Sequence, residues 1–510
     1  MRPHPAIWMT ATSLGATICI LCIAALAGAA QDKPVSEANP TAEISTQPNI
    51  ILLISDDQSW DGLSVRMDPQ NPRSASQLVQ TPNLEKLAAQ GTRFSNAYAP
   101  APVCSPTRAS ILTGKSPGQL HWTKAGPNVR AAQGYKLNPP TNKQRIDSQE
   151  STVAEMLNRA GYRTAHFGKW HLNSNGPGAH GYDVHDGMTG NEDAIPHKDP
   201  NPVDIFGMTE RAEAFIDQSV AEKKPFFIQM SYYALHHPEN ANAATVDKYR
   251  QRSRRGNERA LGMAALAEDL DTGVGQLIDY VDQIGLGDHT YIIYMSDNGG
   301  GGRRSALRGG KGSLWEGGIR VPFIMRGPGV AANATQGTTI VGFDLLPTFV
   351  EMAGSEEAIP QGVEGGSFLP LATGTSDHVK RPHDFLTFHF PHYQTADGPQ
   401  SALIQGDMKL VENHDSGEIL LFDLSSDPSE SQDLSAARPE QAAQLHRLLR
   451  AHLNQIKVGW PTENPAYDPN RPASEGWNPN DRPRRENQGG GRGGRGGRGG
   501  RGGQGNQGGF

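Results

Sequence analysis

Cysteine is nearly absent from this chain: 510 residues contain three. Cys19 and Cys22 fall inside an N-terminal apolar stretch with the features of a removable export signal, which leaves Cys104 alone in the remainder. An intrachain disulfide framework is therefore excluded, and no Cys/His set with zinc spacing exists beyond that stretch. Positive charge is not in excess either. Lys and Arg total 47 against 54 Asp and Glu, a net charge of −7 that argues against a nucleic-acid-binding core. Apolar residues make up only 36% of the chain while Gly and Pro number 59 and 37, which excludes a bundle of long helices and fits a loop-rich globular protein with low-complexity ends. Long apolar runs are missing too. Leu14 to Ala27 is shorter than the ~20 residues of a bilayer span, so no stable membrane span is expected.

Residues 1–30 read as a signal peptide, with Arg2 and His4 ahead of the apolar run and Ala27-Gly28-Ala29-Ala30 supplying small residues for cleavage. Export to the periplasm or the medium is expected, followed by a flexible leader over 31–47. At the other end, 461–486 reads as a Pro-rich linker. Residues 487–510 repeat Arg-Gly-Gly at Arg492, Arg495, Arg498 and Arg501, a disordered tail that cannot bury a core.

Between these ends, short buried strands alternate with helical patterns, the signature of an α/β protein. Asn49 to Ser55 is a continuous apolar run that ends in Asp56-Asp57, and Tyr291 to Ser296 is another that ends in Asp297-Asn298. Open α/β sheets place ligands at the carboxyl ends of their strands, and adjacent carboxylates there repel unless a cation compensates. Four short oxygen-bearing side chains suit a hard divalent ion, although an isolated Asp-Asp pair is more often a solvated loop. A strand over Tyr162 to Phe167 leads into Lys169 and His171, which project to one side if the strand continues. Phe226 to Ser231 leads into His236-His237-Pro238, and Val321 to Met325 reads as a further strand. Helices are expected over 83–90, 152–160, 205–220 and 263–286, and one opens at Asp344.

The stretch Pro102 to Lys115 stands apart. Pro106 to Thr113 reads as a helix, with Pro106 at its first position and Gly114 as its stop. Cys104 then lies at or just before the helix N-terminus, where unpaired N–H groups favour negative charge, with Arg108 one turn further on. The plain alternative for Cys104 is a small buried hydrophobe. Further along, Arg308 to Pro322 is a glycine-rich loop whose spacing fails the nucleotide-binding patterns.

Cys104-Ser105-Pro106-Thr107-Arg108 followed by Leu112-Thr113-Gly114 resembles the signature of type I sulfatases, within the alkaline phosphatase superfamily, and the other landmarks follow in that family's order over 48–455. The resemblance implies a large mixed, mostly parallel sheet flanked by helices over 48–375. It also implies a smaller C-terminal α+β subdomain over 376–460, with strands near 401–405, 408–412 and 419–424 and a helix over 439–455. It implies oxidation of Cys104 to formylglycine (3-oxoalanine) by a formylglycine-generating enzyme before export. Asp56, Asp57, Asp297, Asn298 and an oxygen of modified Cys104 would hold Ca²⁺, or Mg²⁺ in its place. Lys311 matches the loop lysine that touches sulfate, and His236, rather than His237, matches the family's histidine before proline. Cys104, Arg108, Lys169, His171, His236 and Lys311 would be catalytic, with Lys169, His236 and Lys311 also binding substrate. The implied activity is hydrolysis of sulfate monoesters on a sulfated carbohydrate. A phosphomonoester or phosphonate ester hydrolase of the same fold, and a non-catalytic anionic glycan-binding protein, are the alternatives. Phe388-His389-Phe390-Pro391-His392-Tyr393 either lines the substrate cleft or is packing.

Overall fold

The computed structural model describes residues 45–471 apart from 129, 173–174, 254–256 and 301–304. The signal peptide, nearly all of the leader, most of the linker and the Arg-Gly-Gly tail lie outside the described residues. Among the described residues, no helix is long and apolar enough to cross a membrane.

Every residue of strand β1 (Asn49–Ser55) is buried, so the strand must be covered on both faces. Side chains alternate across a strand, and the core divides accordingly. Ile50, Leu52 and Ile54 pack on one face with helices α2 (Cys104–Thr113), α3 (Val153–Arg159) and α6 (Leu345–Met352). Ile51 and Leu53 pack on the other with α1 (Pro82–Gln90), α4 (Ile205–Ala221) and α5 (Glu258–Gln283). The remaining strands of the sheet are β2 (Thr92–Phe94), β3 (Arg163–Gly168), β4 (Val184–His185), β5 (Phe226–Ser231), β6 (Thr290–Ser296), β7 (Phe323–Arg326) and β8 (Ala334–Gln336). Their order is β8-β2-β7-β6-β1-β5-β3-β4. This is the mixed, mostly parallel sheet that the sequence led us to expect. Only β7 runs against its neighbours β6 and β2. An antiparallel partner needs no crossover helix. The chain therefore leaves β6 and re-enters β7 at the same edge, which keeps the glycine-rich loop between them on the rim where β1, β3 and β5 also end.

Two local readings need correction. Helix α2 starts at Cys104, with Val103 extended before it, so Cys104 is itself the first helical residue and Pro106 the third. Proline is tolerated there because the first four N–H groups of a helix have no intrahelical partner. Strand β3 stops at Gly168 (φ 88°), so strand alternation is not what brings Lys169 and His171 to the site. A Cβ at Gly168 would lie 2.2 Å from the Ser231 carbonyl, which explains glycine at this exit. The strands β8 and β2 at one end of the sheet were not foreseen; three residues each carry too little pattern to register.

A second sheet, antiparallel, is formed by β9 (Leu386–Phe390), β10 (Gln400–Gln405), β11 (Met408–Asn413) and β12 (Ile419–Asp423). Leu403, Leu410 and Leu421 on one face pack against α7 (Pro439–Gln455). Phe388, Phe390 and Ile404 on the other join Leu314, Trp315 and Ile319 from the glycine-rich segment. Phe388 and Phe390 are thus packing residues. His389 is too, held between Ser401 Oγ (2.7 Å) and the Gly459 carbonyl (3.0 Å). The stretch read as linker is ordered at its start, where Thr462–Glu463 pairs with Leu137–Asn138.

Candidate active site

Parallel pairing of β1 and β6 sets Ser55 beside Ser296, so the residues that follow, Asp56-Asp57 and Asp297-Asn298, emerge side by side. On the other flank, Asp56 exchanges backbone hydrogen bonds with the segment after β5: its N–H donates to the Ala234 carbonyl (2.7 Å) and its carbonyl accepts from Leu235 (2.6 Å). That places His236 next to it. The Lys169 N–H donates to the Ser231 carbonyl (2.8 Å), which brings the exit of β3 to the same rim.

Cys104 is 2% exposed, and its Sγ lies 3.5 Å from both Asp56 Oδ1 and Lys311 Nζ. Lys311 Nζ also donates to Asp57 at 2.6 Å, and Lys169 Nζ pairs with Asp56. Arg108 donates twice to Asp297 Oδ2 (3.1 and 2.8 Å) and once to the Lys169 carbonyl (2.7 Å). Asn298 Nδ2 donates to Asp57 Oδ1 (2.8 Å), while its own Oδ1 is a buried acceptor without a partner. His236 Nε2 stands 3.9 Å from Asp57 Oδ2, and its side chain is 22% exposed, the open side of the cluster. Asp56, Asp57, Cys104, Arg108, Lys169, His171, His236, Asp297, Asn298 and Lys311 therefore meet at one rim. His237 does not join them; it is turned outward against Glu239 and Arg259.

His171 (φ 52°) is held by contacts that the sequence did not advertise. Its N–H donates to the Thr189 carbonyl (2.8 Å), and its own carbonyl accepts from Ser105 Oγ (2.8 Å). Thr189 also takes the Trp170 N–H (2.9 Å). Ser105, next to the central cysteine, was open to suspicion, whereas nothing in the local pattern around Thr189 points to it.

Burial sets the electrostatics. It works to raise the Asp56 carboxyl, but Lys169, His236, Arg108 and Lys311 outweigh it and hold Asp56 well below the usual carboxylate range. Burial and the neighbouring Asp56 charge push Asp297 up to about 6 despite Arg108. Burial pushes the Cys104 thiol up to about 12, so the unmodified side chain stays protonated and is a poor nucleophile at neutral pH. Burial lowers His236, and burial with the charges of Lys169 and Arg108 takes His171 well below its ordinary value, so the charged form of each imidazole is disfavoured, most strongly at His171. Lys311 is disfavoured by burial but raised well above its ordinary value by Asp57, Cys104 and Asp56.

Ligand atoms of Asp56, Asp57, Cys104 and Asp297 all lie within 4.8 Å of one another, the one such group of His, Cys, Asp and Glu side chains among the described residues. Three carboxylates and an amide oxygen are hard donors suited to Ca²⁺ or Mg²⁺. The orphaned Asn298 Oδ1 is the acceptor such an ion would satisfy.

Residues 48–355 match the sequence profile described as Sulfatase, and residues 310–459 match that of N-sulphoglucosamine sulphohydrolase, C-terminal. Arylsulfatase A of Homo sapiens is 28% identical over 494 residues, covering 82% of this chain and 91% of its own. An ulvan-active sulfatase of Formosa agariphila is 27% identical over 372 residues, 66% of this chain and 67% of its own. The crystal structure of Ps i-CgsB in complex with k-i-k-neocarrahexaose superposes with a TM-score of 0.67 at 24% identity, over 80% of this chain and 93% of that one.

Proposed function

The chain belongs to the sulfatase family, and from that premise we propose that it is an exported enzyme that removes sulfate from a sulfated saccharide, using formylglycine made from Cys104. The observation that carries the reading is the contact of one buried thiol with both a carboxylate of the acidic cluster and the ammonium of Lys311. The saccharide class is supported by the ulvan-active relative and by the carrahexaose bound to the structural neighbour.

When formed, formylglycine supplies a hydrated aldehyde, with one hydroxyl to attack sulfur and a second whose deprotonation releases sulfate without attack by water. A divalent ion held by Asp56, Asp57, Asp297 and Asn298 would add positive charge beside the sulfate oxygens. The chain's own groups do the rest. Lys169, Lys311 and Arg108 form a cationic wall around residue 104, and losing one such contact costs on the order of 10²–10³ in rate. His171, neutral and with a buried unpartnered Nδ1, would accept a proton from a hydroxyl at residue 104. His236 sits on the open side and donates a proton to the departing oxygen. Because burial lowers its pKa, its protonated fraction, and with it turnover of esters that need this acid, falls as pH rises through a range below the ordinary histidine value, on the acid side of neutrality.

The test uses the full chain produced together with a formylglycine-generating enzyme. Peptide mass should show the oxidised form of Cys104, and aryl sulfate should be cleaved faster than aryl phosphate. Faster phosphate cleavage would move the assignment to the phosphoester alternative, and glycan binding without sulfate release would move it to the binding protein. Desulfation of defined sulfated oligosaccharides then identifies the sugar.

A further inference from the structure

Lys311 reaches the site from a loop that has little regular structure of its own. Its backbone is pinned by the Gly300 carbonyl, which accepts from the Lys311 N–H (3.1 Å), and by the Pro102 carbonyl, which accepts from Gly312 (2.9 Å). The underside of the loop rests on the short turn Glu316–Ile319: the Gly317 N–H donates to the Arg308 carbonyl (2.7 Å), and a Cβ at Gly318 would lie 2.5 Å from the Gly310 carbonyl. Whatever fixes this turn therefore fixes the base from which Lys311 extends.

What fixes it is a charged cluster with no access to solvent. The Glu316 side chain is fully buried; Tyr98 donates to its Oε2 (2.8 Å), Arg320 lies 3.4 Å from the same oxygen, and Lys409 Nζ lies 2.9 Å from its Oε1. Lys409 is also fully buried and reaches Glu430 Oε1 at 2.8 Å, while the Glu316 N–H donates to Glu430 Oε2 (2.7 Å). Lys409 lies on β11 and Glu430 on the loop beyond β12, both in the C-terminal sheet region; Glu316 and Arg320 belong to the segment that carries Lys311. A lone buried carboxylate is so costly that Glu316 requires its partners, and among the described residues only the Lys409 side chain bridges the two glutamates. None of these groups touches the reacting atoms.

We propose that Lys409 is a positioning residue for the sulfatase reaction: through Glu316 and Glu430 it clamps the glycine-rich loop to the C-terminal sheet and so sets Lys311 against Cys104 and Asp57. This rests on the function proposed above, and it makes the small sheet part of the catalytic apparatus. Partners of this indirect kind typically cost about 10–100-fold in activity when removed.

The test is a double-mutant cycle on aryl sulfate hydrolysis, with a structure as a readout independent of turnover. Lys409→Met should lower kcat/KM by about 10–100-fold. In a Lys311→Ala background it should lose most of that effect, because the group it positions is already gone. The crystal structure of Lys409→Met should show Lys311 Nζ withdrawn from Cys104 and Asp57. An equal loss in both backgrounds, or Lys311 keeping both contacts, overturns the proposal. If Lys409→Met does not fold, the charge-balanced pair Lys409→Met with Glu430→Gln takes its place in the same measurements, and failure of both to fold assigns Lys409 to folding alone and also overturns it. Absence of sulfate-ester cleavage by the wild type would instead count against the function, while the position of Lys311 still reads out the clamp.

Discussion

Cys104 owes its chemistry to three neighbours that burial makes influential: Asp56, Lys311 and the start of α2. Cys104→Ser is expected to keep the fold and lose multiple turnover, because a serine hydroxyl can take sulfate but lacks the second hydroxyl that expels it. Rapid-quench analysis should show at most one sulfate transferred per enzyme, and sustained turnover would rule the mechanism out. His236→Ala should separate substrates by leaving group. Loss of a general acid costs about 10²–10⁴ for a sugar sulfate, whose alkoxide needs a proton, and much less for an activated aryl sulfate. Equal losses on both would remove His236 from that role. At this scale much of the site was legible. Asp56-Asp57 and Asp297-Asn298 each end a fully apolar run, and Lys311 sits in a recognisable glycine-rich string. Thr189, Glu430 and Lys409 were not legible, because what matters about them is a contact made through space by residues whose own surroundings look like ordinary loop or strand.

Secondary structure was read best where a long pattern or a strong stop signal existed, as in α7 and β1, and least well where tertiary contact decides the boundary. The start of α2 is the telling case: Pro106 looks like a first position, but Thr107 Oγ1 donates to the Ala101 carbonyl (3.1 Å), and the helix begins at Cys104. The exit of β3 depends on Gly168 in the same way. Gly168→Ala would force a Cβ against Ser231 and Met208 in a left-handed conformation, so both melting temperature and activity should fall. An unaltered melting temperature would show that this exit is looser than its contacts imply. In the second sheet, burial lowers the His389 pKa to about 3. Between pH about 6.5 and about 3 the unfolded chain then binds a proton that the folded one refuses, so this group's stability contribution is complete above 6.5 and is lost as pH falls. His389→Gln should flatten the decline of melting temperature across that window, checked by thermal melts at stepped pH.

For the whole molecule, the large sheet supplies the rim on which the site is assembled, and the antiparallel sheet covers Leu314, Trp315 and Ile319 beneath the loop that carries Lys311. Stripping divalent ions with a chelator should both abolish activity and lower the melting temperature, with Ca²⁺ or Mg²⁺ restoring both, since the carboxylates of Asp56, Asp57 and Asp297 converge to within 4.8 Å of one another. No change in either property would argue against a bound ion. The near-complete enclosure of Cys104 imposes an order of events. With its thiol sealed under the first turn of a buried helix, no modifying enzyme can reach it once folding has finished. On the mechanism proposed above, oxidation would have to win a race against collapse of the nascent polypeptide, and any molecule that folded first would stay inactive. The yield of working protein is then governed by maturation kinetics in the cell that makes it, however stable the finished product.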